Sequence, residues 1–249
     1  MLAELTAGRR AKTIEDVVDI MTALDGGLSD NDGVKWFNRL YLQVTLAVRH
    51  AVTETTFRDP AFLTTLDVVF ANLYFDAIAA GNVNPALAPS AWRPLLECRH
   101  RRDVRAIQFA LAGMNAHINR DLPEGIVATY RATDGAPEEG TARHEDFGKV
   151  NELLEAVETQ IKVEFSTGLV SLIDNAAGDV DDALAMWKVR AARATAWTNA
   201  EVLWALRAMP VLRGAFFSRL DSFTGFAGRG LLVPTTLPAD GKRGVYADD

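Results

Sequence analysis

A chain of 249 residues, 49% of them hydrophobic, is long enough for one large core and too short for two independent enzymes. Its formal charge of −7 argues against a nucleic-acid partner, because phosphate binding draws on a basic surface to release counterions. The lone cysteine, Cys98, excludes an internal disulfide and a thiolate zinc cage, and it fits a reducing compartment.

The opening MLAELTAGRRAKT has a short apolar run with its basic pair behind it, unlike a secretory leader. No segment reads as the roughly 20 apolar residues of a membrane span, so a cytoplasmic protein without a membrane span is expected. Thr13 is placed to cap a helix over IEDVVDIMTALD, with Asp16 completing a capping box. GGLSDNDG makes a loop, and a long helix follows from about Val34 to Glu54. Asp59-Pro60 combines a cap with proline at the first helical position and opens AFLTTLDVVFANLYFDAIAA, which Gly81 and NVNP should end. Ser90 is expected to cap a short helix through Trp92 and Leu96.

The next helix should run from about Asp103 to Asp121 and stop before Pro123, followed by a shorter one to about Arg131. TDGAPEEGTAR reads as a loop and a mobile insertion. A long helix or broken pair is expected over 145–175, with Gly168 as the break, and another helix over 181–208 after GDVDD. Met209-Pro210 turns the chain into a last helix ending near GFAGRG, and the tail after Leu232 looks extended. Apolar residues repeat at helical spacing and no run alternates long enough for a sheet. The expectation is a single all-α domain, a bundle of about eight or nine helices with a core over 13–232 and a tail over 233–249.

Two helices look too apolar for the surface. Val68, Val69, Phe70, Leu73, Tyr74 and Phe75 leave no wet face, and VRAIQFALAGMNAHI is similarly greasy. Both belong at the centre, so their polar residues need partners: each one left unbonded costs roughly 1–3 kcal/mol. Asn72 and Asp76 lie one turn apart. Gln108, Asn115 and Asn119 share one side of the second helix, while His117 and Asp121 project to the opposite side.

A buried His–Asp pair suits acid–base catalysis, because the carboxylate sets the tautomer and stabilises the imidazolium. His117 is the candidate acid or base, Asp121 its orienting partner, and Asn115 and Asn119 candidate holders of a polar substrate group. The same pair at i, i+4 could supply two metal ligands, with Asp76, Glu201 or His144 as a third. The chain has no H-E-x-x-H and no E-x-x-H, so a divalent metal is weakly supported. No nucleotide-cofactor motif occurs, since GFAGRGLL follows a helix rather than a strand. Arg190, Arg193, Trp197, Glu201 and Trp204 share a helical stripe. Arg193 and Glu201 then form a partly buried ion pair beside Trp197, or Arg193 or Arg190 grips an anionic substrate group. Asn199 lies off that stripe. ECRHRRDVR reads as a solvated helix start in need of acidic neighbours.

The strings FNRLYLQVT, FLTTLDVVFANLYF, FALAGMNAHINRDLP, AWTNAEVLWALR and GFAGRGLLVP resemble a bacterial family frequent in actinobacteria, domain of unknown function 5995, from about Val34 to Pro234. The resemblance implies one all-helical domain and no particular activity. Its strings contain Asn38, Asn72, Asn115, His117, Asn119, Asp121, Trp197 and Asn199, which become candidate contacts together with Arg193. Three functions are compatible with these residues. The first is an enzyme acting on a small, largely apolar molecule by His/Asp chemistry, such as hydrolysis or cyclisation. The second is a binding module for a lipid-like or aromatic ligand, lined by Phe70, Tyr74, Trp197 and Trp204. The third is a structural or interaction protein whose polar core fixes helix register.

Overall fold

Thr13 does cap the first helix: its side chain accepts from Asp16 N at 3.1 Å, and Asp16 reaches back to the Thr13 N–H. The computed structural model describes residues 10–53, 57–167 and 189–234, with 155–167 as backbone only. In chain order the helices are α1 (Ile14–Gly27), α2 (Gly33–Thr53), α3 (Pro60–Val83), α4 (Arg93–Cys98), α5 (Ala106–Ala116), α6 (Leu122–Ala132), α7 (Ala142–Thr167), α8 (Val189–Ala205) and α9 (Pro210–Leu231). Short 3₁₀ turns follow α3 and α8, and no strand occurs among the described residues. The all-α expectation holds. The expected helix ends near 175 and 181, the Gly168 break and the tail lie outside the described residues.

Local signals account for most of the boundaries. Asp59 accepts from Phe62 N at 3.0 Å ahead of Pro60, opening α3 as expected. NVNP does end that helix, at Val83, with Gly81 inside its last turn. Glycine is needed there for close packing, since a Cβ would lie 2.4 Å from Leu96. Ser90 does not cap α4. The N–H groups of Ser90 and Ala91 donate to Asp221 of α9 at 2.9 and 3.0 Å, so a distant carboxylate holds that turn. The 133–141 loop turns on two glycines with positive φ, Gly135 and Gly140.

α5 is the axis of the bundle: every residue from Ile107 to Ala116 is buried. α2 packs along one side of it and α9 along another. The α2–α5 crossing is close because each helix offers a glycine to the other's phenylalanine. A Cβ on Gly113 would meet Phe37 at 2.4 Å, and one on Gly33 would meet Phe109 at 2.4 Å. α3 is less central than expected. Phe70, Tyr74 and Phe75 are buried, but Val68, Val69 and Leu73 are only half-buried. By length and composition α3 is also apolar enough to cross a membrane, which corrects the expectation that no segment is. Its packing against α1, α2, α6 and α7 accounts for that composition as core-helix character.

α9 approaches the 89–91 turn so closely that a Cβ on Gly225 would lie 2.4 Å from the Ser90 carbonyl oxygen. That oxygen is backbone, in a turn pinned by Asp221, and cannot swing aside. Gly225→Ala is therefore expected to destabilise the protein by about 1–3 kcal/mol despite its better helix propensity. Gly214→Ala, on the same helix with nothing within 4 Å, should be neutral or gain up to about 1 kcal/mol. Chemical denaturation of the two variants side by side checks the contrast.

Candidate functional site

The helix that should have stopped at Pro123 does not stop. Between α5 and α6 the chain makes one wide π-turn over His117–Asp121, closed by Leu122 N–H donating to the His117 carbonyl. In a regular α-helix the Pro123 ring would clash with the carbonyl four residues back and a hydrogen bond would be lost. A π-turn displaces that carbonyl, so α5 and α6 join through the proline. Such turns recur at functional sites, and here the turn consists of the HINRD segment itself.

His117 and Asp121 pair across the turn, with Nδ1 3.1 Å from Oδ2, and they are 2% and 0% exposed. Asp121 is fully committed: Oδ2 also accepts from Trp92 Nε1 at 2.9 Å, and Oδ1 accepts from Arg120 at 2.7 Å. Nδ1 of His117 is therefore the protonated nitrogen. Nε2 carries a lone pair and is sealed from solvent without a partner among the described residues. Aromatic rings surround the imidazole. Phe70 stacks flat on it at 3.5 Å, and Tyr41 (4.5 Å) and Phe37 (5.6 Å) meet it edge-on. Burial pushes the His117 pKa down, and Asp121 only partly opposes this, so the ring is held neutral.

The opposite face of the same helix looks at α9, as the spacing implies. Asn119 donates to Asn115 at 3.1 Å, and Asn115 donates to the Thr224 carbonyl at 2.9 Å. Gln108 donates to the Leu231 and Val233 carbonyls at 2.8 and 2.7 Å. These amides tie down the backbone of a neighbouring helix. Asn38 does the same with the Met21 carbonyl at 2.8 Å while accepting from the Tyr74 hydroxyl at 3.3 Å. Asn72 exchanges two bonds with the backbone of Ala11.

Sharing Phe70 and Tyr41 with the His117 cluster, a cavity of about 50 Å³ lies between α2, α3, α7 and α8, with Leu122 at the start of α6 also in its wall. Its walls are mostly apolar, with Val44, Val48, Leu63, Leu66 and Phe147 among them, and three polar side chains interrupt them: Tyr41, Asp67 and Arg193. The Tyr41 hydroxyl and Asp67 Oδ2 are both sealed; Asp67 Oδ2 makes no hydrogen bond among the described residues, and the Tyr41 hydroxyl has the Thr45 side chain beside it, outside good hydrogen-bond geometry. Burial raises the Tyr41 pKa well above its usual value, helped by the nearby Asp67 and Asp121 charges. Burial alone raises Asp67 to about 7. Arg193, 6% exposed, is held by Asn151 Oδ1 at 2.8 Å and the Phe147 carbonyl at 2.9 Å.

Residues 14–234 match DUF5995, a family of unknown function. The chain belongs to that family. No curated protein and no solved structure matches it. The DUF5995 match begins at Ile14, so it includes α1 as well as the part from Val34 onward. It covers the π-turn, the His117 cluster and every cavity-lining residue.

Within this DUF5995 domain several sequence-derived candidates separate from one another. Asp76 is exposed and pairs with Arg10 at 2.7 Å, so it is not a third metal ligand beside His117 and Asp121. Glu201 accepts from Trp197 Nε1 at 3.2 Å rather than pairing with Arg193. His144 accepts from Gly140 N at 3.1 Å and lies against Trp197. No group of three His, Cys, Asp or Glu residues able to hold a metal occurs among the described residues. Asn199 is half-buried on α8. In the basic ECRHRRDVR stretch, Arg99 and Arg101 do find acidic neighbours, in Asp32 and Asp103. Tyr41 and Asp67 were missed. The available signal was Asp67 itself, a carboxylate between Leu63, Phe70 and Tyr74 on an otherwise apolar helical stripe.

Proposed function

We propose that the protein binds a small, mostly apolar molecule with a polar end in the α2–α3–α7–α8 cavity and acts on it by acid–base chemistry at Asp67. One observation carries the reading: three polar groups lacking either a hydrogen-bond partner or a counter-charge among the described residues converge on one apolar-walled hollow. Leaving such groups dry costs roughly 1–3 kcal/mol apiece; a bound molecule that hydrogen-bonds to them removes the cost. A carboxyl whose pKa is near 7 both takes and gives a proton at neutral pH, the property asked of an acid–base catalyst. The Tyr41 phenol, kept protonated, is suited to donate to developing negative charge on the substrate. His117 and Asp121 support the site from behind. Their pair packs against the Phe70 and Tyr41 rings that form part of the cavity wall, and His117 itself is not among the lining residues.

Native mass spectrometry of protein purified without denaturation tests the reading. A retained small molecule is expected in the wild type and should be lost from Val48→Phe, which fills the cavity with apolar volume at a cost of about 1–3 kcal/mol. Retention unaffected by a folded Val48→Phe variant overturns the assignment to this cavity. Asp67→Asn should still retain the molecule, because it conserves shape while removing the titrating proton.

A further inference from the structure

We propose that the polar end of this ligand is a carboxylate, so that the cavity takes a short, apolar organic monocarboxylate with Arg193 as its anchor. The inference rests on the cavity being a binding site and adds the chemical class of what it binds. Arg99 and Arg193 are the two buried arginines among the described residues. Arg99 meets Asp32, Arg120 meets Asp121, Arg143 meets Asp59 and Arg213 meets Glu124. Arg193 is as buried as Arg99 and meets no carboxylate among the described residues. A buried cation without a counter-charge is costly, and the usual remedy is an anion.

The hydrogen bonds that Arg193 does make determine which edge remains. Nε donates to Asn151 and Nη2 to the Phe147 carbonyl, while the guanidinium lies 4.1 Å over the Phe147 ring. Nε and Nη2 form one side of the guanidinium, so both acceptors occupy the same edge. The terminal Nη1–Nη2 edge keeps its parallel pair of N–H groups, the fork that matches the two oxygens of a carboxylate. Phe147 and Asn151 hold the plane in place without neutralising it. Asp67 does not act as the missing counter-ion: the hydrogen bonds of Arg193 go to Asn151 and Phe147, and no ion pair joins it to Asp67. The apolar walls at Val44, Val48, Leu63 and Leu66 then suit a hydrocarbon body, and a hollow of about 50 Å³ accommodates a short one.

The test is thermal-shift and calorimetric titration of the full chain with the carboxylates from acetate to hexanoate, against primary amides of the same lengths, at constant ionic strength. The carboxylates should stabilise the protein and the amides should bind roughly ten- to hundredfold more weakly. Arg193→Gln should bring the two series together. Because that variant exposes a repacking risk, Arg193→Lys is measured beside it: the charge is kept, the fork is lost, and carboxylate affinity should still fall. Equal binding of amides and carboxylates by the wild type, abolished by Val48→Phe, overturns the carboxylate assignment while leaving the cavity as a binding site. No binding of either series overturns both. Stabilisation by chloride or inorganic phosphate equal to that by hexanoate also overturns the proposal, since the apolar body would then contribute nothing.

Discussion

Replacing Asp121 by Ala is expected to cost about 3–5 kcal/mol of folding stability, the range for breaking a buried ion pair from one side. The carboxylate is completely buried and serves three donors from three directions: Trp92 Nε1, His117 Nδ1 and Arg120. Removing it leaves an indole N–H, an imidazole N–H and a guanidinium without their acceptor, in a region where water cannot replace it. Arg120 keeps part of its environment through Phe217, 4.8 Å away, and Asp221, 3.6 Å away, but Trp92 and His117 have no such fallback. Asp121→Asn should cost less, because its carbonyl still accepts from one donor. Urea denaturation followed by circular dichroism measures both, and an Asp121→Ala midpoint close to wild type would contradict the account of a shared buried acceptor. The same loss should disturb the cavity indirectly, since the imidazole is stacked on Phe70 and Phe70 lines the cavity.

Asp67 should behave in the opposite sense. Its carboxyl is raised from 3.8 to about 7 in the folded protein. Below about pH 4 it is protonated whether the chain is folded or not, and stability is unaffected by it. Between about pH 4 and 7 the unfolded chain releases the proton while the folded chain keeps it, so stability falls as pH rises through that window. The accumulated penalty above pH 7 is on the order of 1–3 kcal/mol, because Asp67 is half-buried overall and water screens part of the charge. Asp67→Asn removes the titration, and its stability–pH profile should be flatter than the wild type's over the same window. Asp67→Leu, which also removes the unsatisfied oxygen, should be more stable than wild type at pH 8. Greater stability at the expense of ligand retention is the pattern of a group kept for function rather than for folding. Denaturation midpoints of the three proteins from pH 4 to 8 measure it. A profile for Asp67→Asn parallel to the wild type would remove Asp67 from the functional reading.

Much of the architecture could be read locally. The Thr13–Asp16 box, the Asp59-Pro60 start and the Met209-Pro210 turn were legible because each depends on groups within a few residues of one another. So were the two faces of the segment from Asn115 to Asp121, Asn115 and Asn119 toward α9 and His117 and Asp121 toward α2 and α3. Pro123 misled because its rule holds for regular α-geometry, and the chain escaped that rule by widening one turn. Asp76 and Asp67 are the most instructive pair. Both are carboxylates on the same apolar helix, and their spacing turns them about 180° apart around its axis. Asp76 was chosen as a candidate and faces solvent and Arg10; Asp67 was passed over and faces the cavity.

What the sequence settled by itself is the helical character, the caps and which residues share a face, because hydrogen bonds and periodicity within a segment need no distant partner. Which face met water, which amide found a neighbouring backbone and which arginine went without a carboxylate were decided by tertiary packing. Those outcomes depend on desolvation and on partners supplied by α2, α3, α7 and α8 together, and no single segment contains that information.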